Sequence, residues 1–388
     1  MELTYVAYEE IKRIRELDCS NVERTRLFAT LSRINTLYMI MQAGSGHIGS
    51  SFSAMDIVSW LYLNEMELAE DPDADGDIYF SSKGHDAPGY YSVLLGLGRL
   101  DFSLIHELRR LNGLPGHPDV EVPGVQANTG SLGMGISKAK GMVLAHRLQN
   151  KKAKVYVLTG DGELQEGQFW ESLASAVHLG MSEITVIIDH NKIQSDTWVS
   201  LVNDLGDLEA KLKAFGWYVT RCDGNDVQAV SDCLDECKKI SDRPQIIIAD
   251  TLKGQGVPFM ADTAMLDEGE LYQFHSGAPA AEDYVRACDV LIENANSQLR
   301  SLGVEKLMLE HADLRPRAVV DDPQRLIAAY SRALVAQGRN NPALVALDAD
   351  LVLDCGLIPF REQFPERFVE CGIAEMDMLS MASGLALQ

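Results

Sequence analysis

The sequence predicts an α/β protein: a mostly parallel sheet with helices on both faces, followed by a partial second α/β domain. Three observations carry this. Short apolar runs at residues 155–159, 183–189 and 245–251 alternate with stretches of helical periodicity. Those runs are nearly continuous in Val, Ile and Leu, as expected of strands buried on both faces of a parallel sheet. A charged, proline-bearing stretch, Leu314-Arg315-Pro316-Arg317 and then Asp321-Asp322-Pro323, reads as a linker, after which a helix–strand pattern resumes.

Taken in order, residues 5–42 read as helix, with Ile11, Ile14, Leu17, Leu27, Leu31 and Ile34 at helical spacing. A turn follows at Gly44-Ser45-Gly46-His47. A second helix starts near Ser53 and carries Ile57, Leu61 and Leu63. Residues 71–79 are acidic and turn-like. Tyr79-Phe80-Ser81-Ser82 reads as a short buried strand running into Gly84-His85, and residues 87–98 as helix. Strand 155–159, loop 160–167, helix 168–179 and strand 183–189 form one repeating unit. Strands at 215–221 and 245–251 flank a helix at 227–240, and 283–312 reads as one long helix. Beyond the linker come a helix at 324–337, a strand at 343–347 and a helix after Glu375. Domain limits of 1–315 and 316–388 follow. The second unit stops inside an apolar helix, at Gly384-Leu385-Ala386-Leu387-Gln388, so a fragment, or a chain completed by another polypeptide, is expected.

The 388 residues are 46% hydrophobic and 23% charged, an ordinary soluble composition. A formal net charge of −23 argues against nucleic-acid and anionic-membrane partners. It leaves room for a phosphorylated ligand, which backbone N–H groups, a metal and a few basic side chains can hold locally. Seven scattered cysteines without C-x-x-C spacing read as reduced thiols. The amphipathic N-terminus lacks the apolar core of a signal peptide, and the run Ile184 to Ile188 is too short to span a bilayer. A cytoplasmic protein is expected.

The strongest chemical constellation is Gly160-Asp161-Gly162-Glu163 after one strand and Asp189-His190-Asn191-Lys192-Ile193 after the next. Thirty positions separate Asp161 from Asn191, which suits a strand–loop–helix–strand unit returning to the same sheet edge. A carboxylate and an amide oxygen meeting there are hard donors suited to Mg²⁺ or Ca²⁺. Gly160 and Gly162 permit close backbone approach, and the Gly162 N–H can face a phosphate. Four histidines, His47, His85, His117 and His275, sit beside Gly, Pro or Ser in loops. Imidazoles there can donate to phosphate oxygens and to sugar hydroxyls, and can move protons near neutral pH. His106, His146, His178, His190 and His311 have no such context and read as structural.

The segment from Gly160 to Asn191 resembles the G-D-G-x(n)-N thiamine diphosphate motif, and its surroundings resemble the transketolase family over nearly the whole chain. Ser45-Gly46-His47-Ile48-Gly49 is similar to the family's S-G-H-P-G turn, with Ile48 in place of the proline. Ser82-Lys83-Gly84-His85 and Gly116-His117-Pro118 resemble its S-x-G-H and G-H-P loops. Thr129-Gly130-Ser131-Leu132-Gly133-Met134-Gly135 resembles T-G-P-L-G-Q-G, the loop beside the aminopyrimidine. Lys253-Gly254-Gln255-Gly256 and His275 resemble a later loop and its histidine, and Gly372-Ile373-Ala374-Glu375 resembles G-I-A-E.

The resemblance implies a diphosphate-binding first domain, the start of a pyrimidine-binding second domain, and transfer of a two-carbon ketol unit from a ketose to an aldose through a thiamine diphosphate carbanion. It implies that Asp161, Asn191 and the Ile193 carbonyl hold Mg²⁺ (or Ca²⁺), and that His85 and Gly162 contact the diphosphate. Gly130, Ser131, Leu132, Gly160 and Glu163 join the cofactor contacts. Glu375 would bond the pyrimidine N1′, while His47, His117 and His275 would face substrate and the reacting carbon. In the family that glutamate acts across a homodimer interface; a complementary C-terminal chain is the other partner implied. Many transketolases hold a sugar phosphate with an Arg and a Ser early in the second domain. Those positions fall here at Ile327 and Asp354; Asp354 would repel a phosphate, although Arg325 and Arg361 lie close in sequence and could substitute, so an unusual or unphosphorylated sugar is expected in place of ordinary pentose phosphates, or a sugar phosphate held by residues absent from this chain. The alternatives are an enzyme similar to deoxyxylulose-phosphate synthase or to 2-oxo-acid-processing thiamine enzymes, and one component of a complex that works only with its partner chain. No G-x-G-x-x-G opens a helix after the first strand, which weighs against a nucleotide-binding fold.

Overall fold

The computed structural model describes residues 1–69, 76–261, 271–316 and 326–387. The first unit begins with β1 (Glu2–Tyr5), α1 (Tyr8–Arg15), α2 (Asn21–Ala43), α3 (Ile48–Ser53), α4 (Met55–Trp60), β2 (Ile78–Ser81) and α5 (Ala87–Gly96). It continues through α6 (Gly135–Leu148), β3 (Val155–Gly160), α7 (Gly167–His178), β4 (Ile184–His190), β5 (Ile193–Gln194), β6 (Thr197–Trp198), α8 (Val199–Val202) and α9 (Leu208–Ala214). It closes with β7 (Tyr218–Asp223), α10 (Val227–Cys237), β8 (Gln245–Asp250), α11 (Ala281–Ser301) and β9 (Glu310–Asp313). The second unit holds α12 (Leu326–Asn340), β10 (Ala346–Asp348), α13 (Ile358–Gln363), β11 (Phe368–Glu370) and α14 (Glu375–Ala386).

The central sheet has five strands in the order β2-β3-β4-β8-β7, and every pairing is parallel. Side chains alternate across it. Tyr156, Leu158, Ile187, Ile247 and Ala249 enter the core shared with α2, α4, α5, α10 and α11. Val155, Val157, Val186, Ile188, Ile246 and Ile248 enter the opposite core, shared with α6, α7 and α9. Two covered faces explain why these strands read as unbroken apolar runs. Because all five strands point the same way, the loops after β2, β3, β4, β7 and β8 emerge at one edge. The second unit shows a two-stranded parallel sheet, β10 with β11. Among the described residues no helix is long and apolar enough to cross a membrane.

The expected α/β architecture is observed, with local corrections. The helix expected over 5–42 is two helices, because Ser20-Asn21-Val22-Glu23 forms a capping box. The Ser20 hydroxyl accepts from the Glu23 N–H, and the Glu23 carboxylate accepts from the Ser20 N–H. The helix expected over 283–312 ends at Ser301, where Gly303 turns left-handed at φ 69° and Val304 N–H bonds back to the Leu299 carbonyl. Residues 310–313 then pair antiparallel with Glu2–Tyr5, a partner too distant in sequence for periodicity to reveal. The helix placed near Ser53 begins instead at Ile48 and is broken at Ala54. The strand placed at 215–221 begins later, at Tyr218, because Phe215 and Gly216 close the preceding helix and turn. The α6 helix, behind a glycine-rich loop, was not anticipated. The acidic turn at 71–75 and the linker from Arg317 to Pro323 lie outside the described residues.

Ile187 sits on the middle strand, 1% exposed, with packed side chains on every side. Ile187→Ala leaves a cavity there, and equilibrium urea unfolding is expected to show a loss of about 2–5 kcal/mol. A loss well under 1 kcal/mol would mean that the sheet is not sandwiched as described.

Candidate functional site

The loops at the carboxyl edge enclose a cavity of about 180 Å³. Of the residues anticipated from sequence, His47, His85, Leu132, Gly160, Asp161, Gly162, Glu163, Asn191, Ile193 and His275 line it. Gly130, Ser131 and Glu375 line an adjoining cleft, which shares Leu132, Ser195 and Ile373 with the cavity. His117 stands at the rim, where a Cβ added to Gly130 would lie 2.8 Å from its ring.

Each side chain is placed by the end of a strand. After β3, Asp161 turns back so that its carboxylate accepts from the N–H of Gly162 at 2.8 Å and from the N–H of Lys192. After β4, Lys192 adopts a left-handed φ of 70°, a strained conformation that folds Ile193 back toward Asn191. The Ile193 N–H then donates to Asn191 Oδ1 at 3.1 Å. A Cβ on Gly162 would meet Gln194 Cβ at 2.7 Å, so this turn tolerates only glycine. After β2, Gly84 at φ 71° brings Ser82-Lys83-Gly84-His85 against the Thr129-Gly130 loop; a Cβ there would lie 2.6 Å from Gly130 N. Glu163 braces this junction. Its carboxylate accepts from Ser82 Oγ, from Gly133 N at 2.9 Å and from Gly160 N at 3.1 Å.

Two buried lysines that sequence reasoning gave no role complete the site. Lys83 donates to Asp189 at 2.6 Å and to the Ser50 carbonyl at 3.3 Å. Lys253 donates to the carbonyls of Ile193 at 3.0 Å and Ser195 at 2.9 Å. Burial pushes the Lys253 ammonium down to about 8, against the pull of Asp161, Asp196 and Asp350. A signal was present: each lysine follows within three residues of a strand buried on both faces, where an unpaired charge is not tolerated.

His47, His85 and His275 form a triangle of imidazoles with ring centroids 5.1, 5.2 and 5.7 Å apart. Burial holds all three neutral. His47 falls to about 3, helped by the positive charges of Arg109 and Lys253, and His85 and His275 lie well below the ordinary range. Burial and Arg109 lower His117 as well. Burial raises Asp161 and Glu163.

Among the described residues no cluster of three His, Cys, Asp or Glu forms a metal cage. The donor set here is of another kind: the Asp161 carboxylate, Asn191 Oδ1 and the Ile193 carbonyl, all hard oxygens on one cavity. Lys253 occupies one lone pair of the Ile193 carbonyl, and the second remains for a cation. Beside these oxygens, Nδ1 of His47, Nδ1 of His275 and Oγ of Ser50 are buried with no hydrogen-bond partner among the described residues. Partnerless buried donors around hard oxygens fit a polar, cation-bridged anion.

The second unit reaches the cavity through Ile373, whose N–H donates to Gln165 Oε1 at 2.8 Å, and meets its wall through Asp350, which accepts from Ser195 Oγ at 2.7 Å. The Glu166 and Glu375 carboxyls bond each other. Burial, then that bond and charge, raise Glu166 from an ordinary 4.5 to about 8. A raised carboxyl is stabilising while protonated, so this contact is fully present below about 4.5 and is lost as pH rises through about 8. Thermal unfolding midpoints are therefore expected to fall across this window for the native chain, and to fall less for Glu166→Gln. Parallel pH profiles would contradict the raised Glu166 carboxyl.

Comparison with known proteins agrees with this geometry. Residues 24–285, more than half the chain, match the family model described as transketolase, thiamine diphosphate binding domain. Transketolase-like protein 2 of Homo sapiens is 31% identical over 382 residues, 95% of this chain and 60% of that protein. One component of the apulose-4-phosphate transketolase of Actinobacillus succinogenes, named as a subunit, is 35% identical over 249 residues, 62% of this chain and 89% of its own length. A transketolase from Leishmania mexicana shares the fold with a TM-score of 0.62 at 21% identity, over 91% of this chain and 61% of the other. The chain thus spans about three fifths of the full-length relatives it matches. It belongs to the transketolase family and carries that family's thiamine diphosphate binding domain.

Proposed function

We propose that this chain is the cofactor-binding part of a transketolase-type transferase that moves a two-carbon ketol unit from a ketose to an aldose. The observation that carries the proposal is the meeting of Asp161, Gly162, Asn191 and three neutral histidines on one cavity inside the matched domain. When bound, thiamine diphosphate supplies the electron sink that lets a carbon–carbon bond beside a ketone break. Everything else falls to the protein. Asp161, Asn191 Oδ1 and the Ile193 carbonyl would hold Mg²⁺ or Ca²⁺, and His85 would bind the diphosphate beside Gly162, whose own N–H, expected from sequence to face a phosphate, is taken by Asp161 Oδ1. Glu375, beside Glu166, would hydrogen-bond the pyrimidine N1′. Neutral His47 and His275, with His117 at the rim, would donate a ring N–H to a sugar's carbonyl and hydroxyls, while the bare ring nitrogen accepts a hydroxyl proton.

Calorimetric titration of thiamine diphosphate tests this. Binding is expected to require Mg²⁺ and to be lost in Asp161→Ala. Binding indifferent to both would overturn the reading.

The second unit bears on the substrate. Asp354 lies with Asp196, Asp350 and Glu370 in a cleft of about 510 Å³ that shares Ser195 with the cavity, and Arg361 is the lone base of its lining among the described residues. Ile327 lines an apolar hollow with Leu326, Leu353 and Gly356. Neither surface suits a phosphate, which supports an unusual or unphosphorylated sugar. In the full-length protein or complex, Asp354→Ser is expected to lower the KM for a sugar phosphate about fivefold. That is the ~1 kcal/mol one unit charge is worth at about 4 Å in high dielectric. A micromolar KM for xylulose 5-phosphate in the native protein would contradict the substrate reading.

A homodimer would complete the site. A complementary chain is the second reading, supported by two relatives whose names mark them as subunits. One is the apulose-4-phosphate transketolase component above. The other belongs to a 6-deoxy-6-sulfo-D-fructose transketolase of Clostridium sp. and is 35% identical over 86% of its length.

A further inference from the structure

Asp189 does not line the cavity, yet it is fully buried and accepts from four side chains around it. Its Oδ2 accepts from Lys83 Nζ at 2.6 Å, Ser53 Oγ at 2.7 Å and Asn191 Nδ2 at 3.2 Å. Its Oδ1 accepts from Thr251 Oγ1. We propose that Asp189 is a positioning residue that fixes the Asn191 amide with its oxygen toward the cation position beside Asp161. This rests on the metal-dependent reading above.

Donors and acceptors decide the orientation. A carboxylate carries lone pairs and no proton to give, so only the NH₂ end of an amide can face it. On the other side, the Ile193 N–H gives a proton, so only the carbonyl end of the amide can face it. The two contacts select the same one of the two possible amide orientations. Reversing the amide would set Asn191 Oδ1 against Asp189 Oδ2 and Nδ2 against the Ile193 N–H, two mismatches in a buried, low-dielectric site. Oδ1 keeps a lone pair beyond the one taken by Ile193, and it lies on the cavity shared with Asp161. Lys83 anchors the arrangement through its 2.6 Å ion pair with Asp189 Oδ2. The arrangement parallels the way carboxylates behind metal ligands set the orientation of those ligands.

Asp189→Asn is isosteric and presents an amide that can donate or accept, so it removes the selection while preserving shape. The experiment titrates Mg²⁺ calorimetrically into the full chain at saturating thiamine diphosphate, alongside thermal unfolding without ligand. The Mg²⁺ concentration for half-maximal binding is expected to rise ~10–100-fold, with cofactor binding restored at high Mg²⁺. A purely structural role would lower the unfolding midpoint and leave the Mg²⁺ dependence in place. Half-saturation within twofold of the native chain in a folded variant overturns the proposal. Should Lys83, left unpaired, prevent folding, Lys83→Met/Asp189→Asn removes both charges and carries the same expectation. A native chain that shows no Mg²⁺-dependent binding would instead sink the functional reading itself, so the two failures are distinguishable.

Discussion

The buried ion pair between Lys83 and Asp189 is the constraint on which the site depends. Lys83 is 2% exposed and Asp189 0%. Two charges taken out of water cost several kcal/mol each, and their attraction offsets this only if the remaining donors and acceptors are satisfied. Here they are. Ser53 from α3, Thr251 from the end of β8 and the Ser50 carbonyl complete the set. The pair therefore fixes the loop after β2, the end of β4, the end of β8 and the first helical turns after His47 relative to one another. A second buried pair, Arg33 with Asp56 at 2.6 Å, repeats the device one layer down. Asn225, from the loop after β7, bonds Asp56, the Ser53 carbonyl and the Leu252 N–H, which ties the two layers together.

That rigid frame reconciles an acidic protein with an anionic ligand. The chain carries a formal charge of −23, but net charge acts at long range and is screened within about 8–10 Å at ordinary ionic strength. The cavity has its own balance. Lys83 and Lys253 reach it from below, and Arg109 holds Ser45 at its mouth with a 2.9 Å hydrogen bond. The same burial that makes those cations effective keeps the histidine triangle neutral, so the imidazoles can both donate and accept. Asp161, raised by burial and flanked by N–H donors, is the counter-charge that a divalent cation would find.

The second unit brings acidity of a different kind. Asp348 and Asp350 are each raised to about 6, first by burial and then by neighbouring groups that include Glu370. Ser195 at φ 40° and Asp350 at φ 61° meet in one hydrogen bond, two strained residues holding two units together.

Sequence alone determined the parallel sheet, because strands buried on both faces must be apolar throughout, and Val155, Ile187 and Ile247 announce it. It also determined the motif residues, because a tight turn against a neighbouring chain requires glycine at positions such as Gly162. It located the bend between Gly160 and Asn191 for the same reason. It missed the break at Ser20, although the capping box was legible there. The pairing of Glu2–Tyr5 with Glu310–Asp313 was beyond reach, since hydrogen bonds between distant segments leave no local period. Only the tertiary structure decided what the charges do. In the sequence Lys83, Asp189 and Lys253 show only as charges at the ends of apolar strands; which partners they meet follows from burial, a property of the packed chain. The same holds for His47, His85 and His275: the sequence supplies three imidazoles, and the folded sheet edge sets them 5.1–5.7 Å apart and dry enough to stay neutral.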